Sequence, residues 1–358
     1  MKNKIGAFSL GLAFAGSFLG AGYVSGQELW QFFGVFGKNG AFGLVLAISL
    51  LFAVGLMMLD LNRKTEYEDV DRLVIMWDLR VLRGAVFALE VVFLFGVCMI
   101  MTAGIGALLH QLLDLPAWVG SAVFTVMIAV LSLYGFSGMV KAFSATVPVL
   151  AFVTLIFGIM SVSQNGISLS SAPVSDGNPL MGSWPVAALS FACYNIFGSI
   201  AMIAPLGRHT KKKSTVLWGV LMGSMILLII AGSVLICVSA EPQITSEELP
   251  MLALAYEKSK ALGYLYGILL LLAMFGTSLS SLVGFGNMVF CKSEKIKKNR
   301  VLFTALTALA FFGGSMFGFG ELIGIIYPLF GYASSVFIVL MAIHWIRVRK
   351  NVRTEYKA

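Results

Sequence analysis

Gly16-Ser17-Phe18-Leu19-Gly20-Ala21-Gly22-Tyr23-Val24-Ser25-Gly26-Gln27-Glu28 interrupts an apolar run that begins near Ile5 and is otherwise suited to crossing a bilayer. Glycines, serines, a glutamine and a glutamate at membrane depth are poor material for an unbroken apolar helix. In hydrocarbon an unpaired N–H or C=O is costly, so irregular backbone persists only where it is buried in protein or lines a polar cavity. A second polar stretch, Ser190-Phe191-Ala192-Cys193-Tyr194-Asn195-Ile196-Phe197-Gly198-Ser199, opens with the same Ser-Phe pair 173 residues later. Paired broken helices in corresponding halves point to the binding site of a secondary transporter. The sequence predicts a transporter whose first and sixth spans are broken, the first unwound over residues 20–24.

The composition agrees. Of 358 residues, 59% are hydrophobic and 12% charged, roughly half the charge of an ordinary soluble domain. The net charge of +8 does not imply nucleic acid, because the cations fall between hydrophobic runs, where they orient a membrane protein. Cys98, Cys193, Cys237 and Cys291 lie in or beside separate spans, and His110, His209 and His344 are the only histidines. Neither a disulfide framework nor a zinc site follows from that spacing.

About 20 apolar residues cross a bilayer core of about 30 Å. Ten such runs are present, near residues 5–36, 39–60, 83–110, 117–136, 142–164, 184–207, 214–238, 262–290, 300–319 and 321–346. With the N-terminus in the cytoplasm, 22 of the 25 Lys and Arg fall in cytoplasmic segments, leaving Lys38, Lys258 and Lys260 outside. The positive-inside rule then puts both termini in the cytoplasm. Spans 1, 2, 3 and 5 repeat as spans 6, 7, 8 and 10 at an offset of 175–179 residues. Five spans carry the second copy to the opposite side, so the expected architecture is all-α, with ten transmembrane helices in a 5+5 inverted repeat. One transmembrane domain covers 1–358, with repeats at 5–164 and 184–346.

Ten spans in this arrangement resemble the LeuT-type fold of the amino acid–polyamine–organocation superfamily. The stretch from Gly16 to Glu28 is similar to that of YkvI-type bacterial membrane proteins, which are grouped with amino-acid permeases. The resemblance implies alternating access around a central site between spans 1, 3, 6, 8 and 10, in a bacterial plasma membrane. In sodium-using carriers of the fold, adjacent hydroxyls of span 8 and carbonyls of broken span 1 form a sodium site. Thr277 and Ser278 resemble that hydroxyl pair, with Ser281 on the same helical face and Gly20 in span 1; Ser280-Ser281 is the alternative pair. A coupling ion, Na+ or H+, is the only cofactor expected.

Several polar residues are candidates for solute contact. Ser25-Gly26-Gln27-Glu28 fits an S-x-x-E capping box, so Glu28 either caps a half-helix or faces the cavity to bind a cation, an amine or a proton. Gly20 and Gly22 let backbone reach a ligand, beside Tyr23 and Ser25. A half-helix beginning in span 6 would aim N–H groups at a carboxylate, with Ser190, Tyr194 and Asn195 around it. Thr102 lies at a depth in span 3 that could line the cavity, and Glu90 could relay protons. Together the two breaks suit a zwitterion such as an amino acid. Ser246 to Lys260 reads as an extracellular lid, and Leu73-Val74-Ile75-Met76-Trp77 as a patch on the membrane surface.

The leading expectation is a cation-coupled carrier of a small organic solute, most simply an amino acid, acting as a monomer or homodimer. A non-transporting nutrient sensor on the same fold is the alternative. A channel lacks a filter sequence, and no nucleophile–base pair or metal motif points to an enzyme.

Overall fold

The computed structural model describes residues 5–65, 70–75, 79–133, 139–167, 169, 177–210 and 212–355. Its helices are α1 (Ala7–Phe18), α2 (Ala21–Ser25), α3 (Gln27–Phe32), α4 (Lys38–Thr65), α5 (Val70–Val74), α6 (Arg80–Leu113), α7 (Ala117–Leu133), α8 (Met139–Asn165), α9 (Trp184–Ile203), α10 (Lys213–Ala240), α11 (Pro250–Lys258), α12 (Lys260–Lys292), α13 (Glu294–Lys298), α14 (Arg300–Ser315) and α15 (Phe319–Glu355). Five of them, α4, α6, α10, α12 and α15, are long and apolar enough to cross a membrane. Shorter apolar helical stretches lie between them: α1, α7, residues 149–165 of α8, residues 184–200 of α9, and α14. This is an all-α, multi-span membrane protein. Large apolar side chains such as Val123, Phe152, Leu302, Leu309 and Val339 are exposed on its flanks, where a soluble protein would carry charge.

Packing sorts the helices into two groups. In one, α1 lies against α10 and α4 against α9, with α4 and α10 also in contact. In the other, α6, α7, α12 and α14 pack together. Bridging them are α8, which touches α10 and α12, and α15, which touches α4, α6 and α9. Without a hydrophobic force between helices in lipid, such contacts rest on close packing of small residues. The α1–α10 seam illustrates this. A Cβ on Gly223 would lie 2.8 Å from the Gly11 carbonyl oxygen, and one on Gly219 would collide with Leu10.

Helix breaks are repaired by side chains from other elements. Pro328 sits inside α15 and, having no N–H, leaves the Gly324 carbonyl without its helical donor. Asn178 Nδ2, from the segment before α9, donates to that oxygen at 2.6 Å.

Two expectations about peripheral segments meet different ends. A helix does form in the segment expected to be a lid, as α11, preceded by a short 3₁₀ turn at Pro242–Ser246; its apolar face, with Met251, Leu252 and Ala255, is buried, and it packs on α12. The patch near residue 73 is not on the membrane surface. Leu73, Val74 and Ile75 are each 1% exposed, and His344 Nδ1 of α15 hydrogen-bonds the Leu73 carbonyl at 3.0 Å. Apolar side chains had a protein surface to bury against instead of lipid. Met76 and Trp77 lie outside the described residues.

The seam yields a test. Gly223→Val should cost about 1–3 kcal/mol through overpacking, read as a lower Tm of the purified protein. Gly232→Ala on the same helix, where a Cβ meets nothing within 4 Å, should leave Tm unchanged.

Candidate functional site

The first span is broken, but not over residues 20–24. α1 ends at Phe18, where Gly20 N bonds back to the Phe18 carbonyl at 2.8 Å, and Ala21–Ser25 is helical again as α2. A second break follows at Gly26, whose φ of 89° is the left-handed conformation that glycine adopts freely. The irregular backbone takes donors from two neighbouring helices, and its own Tyr23 bonds a third. Ser199 Oγ of α9 donates to the Ser17 carbonyl at 2.9 Å. Tyr266 OH of α12 donates to the Val24 carbonyl at 2.6 Å, and Tyr23 OH donates to the Leu227 carbonyl of α10 at 2.8 Å.

The double break aims Glu28 inward. Glu28 is 4% exposed, and its Oε1 accepts a short hydrogen bond from Tyr194 OH of α9, with the Asn195 side chain next to the carboxylate. Gly22 makes the room: a Cβ there would lie 2.5 Å from Glu28 Oε2. The capping box is therefore not formed. Gly26 rather than Ser25 is the N-cap of α3, and Ser25 Oγ, which donates to the Gly22 carbonyl at 3.0 Å, receives Gln27 N–H at 3.3 Å. Around the carboxylate stands an aromatic sheath. Tyr327 of α15 stacks on Tyr194 with centroids 4.5 Å apart, and Phe32 and Phe191 each lie 5.7 Å from Tyr194.

The sixth span differs from expectation. Residues 190–199 lie inside α9, which is continuous from Trp184 to Ile203; it gives way only to 3₁₀ turns at Ala204–His209, where Pro205 follows. The stretch has one glycine and no proline, and its polar side chains bond without opening the helix: Asn195 Nδ2 donates to the Phe191 carbonyl at 3.0 Å. No half-helix N-terminus faces the site there, so the expected amides for a carboxylate are not provided by residues 190–199.

The other candidates scatter. Ser190 Oγ points to the Pro328 carbonyl at 3.4 Å, a helix contact. Thr102 Oγ1 is tied to the Cys98 carbonyl of its own helix at 2.8 Å. Glu90 is buried, 12 residues before Thr102 in α6, about 18 Å of helix away, and is engaged with other groups. On α12, Thr277 Oγ1 donates to the Ala273 carbonyl at 2.9 Å. Ser278 and Ser281 are buried, and Ser278 Oγ has no hydrogen-bond partner among the described residues. Gly20 faces open space. The structure thus brings together Gly22, Glu28, Tyr194 and Asn195, while Tyr23, Ser25, Thr102 and Ser190 hold backbone.

Beside this cluster lies a cavity of about 640 Å³, lined by Gln27 and Gln31 of α3, Asn178, Glu247, Glu248 and Glu321 among others. Gln31 Nε2 donates to the Gly320 carbonyl at 2.9 Å, and Gly320 N donates to Glu248 Oε2 at 2.7 Å. Gln31 escaped the sequence reading; Tyr327 stands, like Thr102, at a depth along its span that could line the cavity. Gln27 and Gln31 recur at the four-residue spacing of one helical face, which was a legible signal; the stacking of Tyr327 was not.

No family model matches the chain. It is 26% identical over 347 residues to the membrane protein YkvI of Bacillus subtilis, covering 94% of this chain and 95% of that one. To YyaD of the same organism it is 25% identical over 342 residues, covering 93% and 95%. Among solved structures it resembles Mhp1 in an inward-facing conformation (TM-score 0.64, 14% identity, 98% of this chain and 78% of that one). It also resembles MhsT in complex with L-phenylalanine (TM-score 0.60, 16% identity, 96% and 89%) and a manganese transporter of Eremococcus coleocola (TM-score 0.52, 14% identity, 96% and 94%). These likenesses show a LeuT-type fold in a chain distantly related to YkvI and YyaD.

Tyr194→Phe deletes one hydroxyl and should cost about 1–3 kcal/mol by leaving a buried acceptor unpaired. A Tm equal to that of the parent protein would show that Glu28 does not depend on Tyr194.

Proposed function

We propose that the chain is a secondary active transporter of a small amine-bearing organic solute, an amino acid being the leading class, driven by a cation gradient. One observation carries this: Glu28, a buried carboxylate beside a double helix break, is hydrogen-bonded by Tyr194 with Asn195 next to it, and no ion pair to it occurs among the described residues. Such a carboxylate is costly in a membrane unless a proton or cation joins it, and a group that must acquire a cation from solution is suited to coupling.

Helix contacts support the ten-span, 5+5 inverted repeat. Exchanging α1, α4, α6, α7 and α8 with α9, α10, α12, α14 and α15 in order turns several of the contacts into one another, though α6–α7 has no comparable counterpart between α12 and α14. The pair α1–α10 maps to α9–α4, α6–α14 to α12–α7, α8–α10 to α15–α4, and α1–α8 to α9–α15, all of which occur. In this arrangement both termini are cytoplasmic, and the Lys- and Arg-bearing segments share one face in a bacterial plasma membrane.

A sodium site between Gly20 and span 8 is supported by Ser278, whose buried hydroxyl oxygen lacks a partner among the described residues on a helix that touches α2. Thr277 donates its proton to Ala273, which leaves its lone pairs for a hard cation, and buried Ser281 is the further oxygen. Glu90, on α6 of the other helix group, is proposed as an auxiliary coupling residue only.

The test is uptake of labelled amino acids into proteoliposomes with either a sodium or a proton gradient. Glu28→Gln should abolish gradient-driven uptake while keeping a folded protein by near-UV circular dichroism; undiminished uptake would remove Glu28 from the mechanism. Ser278→Ala should lower sodium stimulation at least about tenfold if it supplies one of few ligands, and a sodium response equal to the parent's would exclude that site.

A further inference from the structure

The cavity beside Glu28 is rich in negative charge and is lined by no basic side chain among the described residues. Glu247, Glu248 and Glu321 line it. Two of the carboxylates are held by neutral donors, Glu248 by Gly320 N–H and Glu247 by Gln111 Nε2 at 2.7 Å. These bonds position the charges without cancelling them.

A second, independent feature lies on α3. Gln27 Oε1 and Gln31 Oε1 are both buried atoms with no hydrogen-bond partner among the described residues, and Gln27 is only 9% exposed. The orientation of the Gln31 amide is not arbitrary: its nitrogen must face the Gly320 carbonyl, to which it donates, so its oxygen is the atom left over. Buried acceptors without donors are rare in native structures and call for an explanation. Glycines border both amides. A Cβ on Gly320 would lie 2.6 Å from Gln27 Nε2, and one on Gly324 would lie 2.9 Å from Gln31 Oε1.

We infer that this cavity is an access site for a solute that presents a primary ammonium group and carries net positive charge. An ammonium has three N–H donors and no acceptor. Two orphan amide oxygens and a carboxylate are its complement, and bonds from a charged donor are the stronger kind. A carboxylate on the solute would meet three glutamates here, and α9 offers it no half-helix N-terminus deeper in. The next residue after Gln27 is Glu28, so a cation leaving the cavity finds its next acidic partner on the same helix. At a volume of about 640 Å³ the cavity accommodates a small organic molecule. The inference deepens the transporter proposal and rests on it for the steps after binding, though not for binding itself.

The experiment uses the full chain in nanodiscs, with thermal shift and titration calorimetry against pentane-1,5-diamine, lysine and norleucine, the last keeping the chain of lysine without its side-chain amine. The diamine and lysine should raise Tm, norleucine at equal concentration should not, and binding should weaken as salt screens the carboxylates. Gln27→Leu should weaken diamine binding at least about tenfold by removing an acceptor for a charged donor, and Glu321→Gln, at an exposed position, should weaken it several-fold without risk to folding. Norleucine binding as well as lysine, no binding by any of the three, or parent-like diamine affinity in both variants would overturn the inference. Counterflow of norleucine but not of lysine in proteoliposomes would also overturn it while leaving the transporter proposal intact. Amine binding with no counterflow of any solute would do the reverse.

Discussion

A carboxylate at membrane depth, with no cationic side chain bonded to it among the described residues, constrains everything around it. Glu28 is carried on a helix one turn and a half long, α3, which could not be placed there by an unbroken span. The breaks at Gly20 and Gly26 turn the chain so that the carboxylate meets Gly22 on one side and Tyr194 on the other. Each break exposes backbone, and exposed carbonyls take side-chain donors from Ser199 and Tyr266, while Tyr23 of the same stretch bonds the backbone of α10. Polar satisfaction in the middle of the molecule is therefore collective: α9, α10 and α12 all bond to the same short stretch of span 1.

That collectiveness explains what could be read from the sequence and what could not. The all-α character, the positions of the long spans and the interruption of span 1 follow from hydropathy and glycine content, which act locally. Glu28 was visible because charge inside an apolar run is conspicuous. Whether it caps or faces the site depended on the φ of Gly26 and on Tyr194, 166 residues away, and neither leaves a local trace. The same holds for span 6. Its serines and asparagine looked like a break because polar residues in a span usually accompany one, yet a side chain that bonds its own helix four residues back, as Asn195 does, permits continuity. Tyr23 and Ser25 show the converse: in the right stretch, they serve backbone carbonyls rather than a solute.

The cavity and the Glu28 cluster share α3 but differ in character. Toward the cavity the helix shows the amides of Gln27 and Gln31 beside three carboxylates. Toward the interior it shows Glu28 within aromatic rings. A solute moving from one to the other would trade several polar partners for one carboxylate walled by aromatic side chains, and the electrostatic interaction strengthens as the surrounding dielectric falls. The contacts that hold α11 over α12 and link Glu248 to Gly320 at the head of α15 bring three separate chain segments to the same opening.

The way α1 and α10 are seated against one another has a consequence for biosynthesis. The face of α1 carrying Leu10, Gly11 and Phe14 is complementary to Gly219 and Gly223, which the ribosome has yet to make when α1 enters the bilayer. More than 200 residues must emerge before that groove exists, and α4 likewise waits for α9. The leading helices must therefore lodge provisionally in lipid or against the insertion machinery, and neither half expressed alone would have a finished surface on which to fold. Complementation of two separately encoded halves would require both to be present in the membrane at the same time.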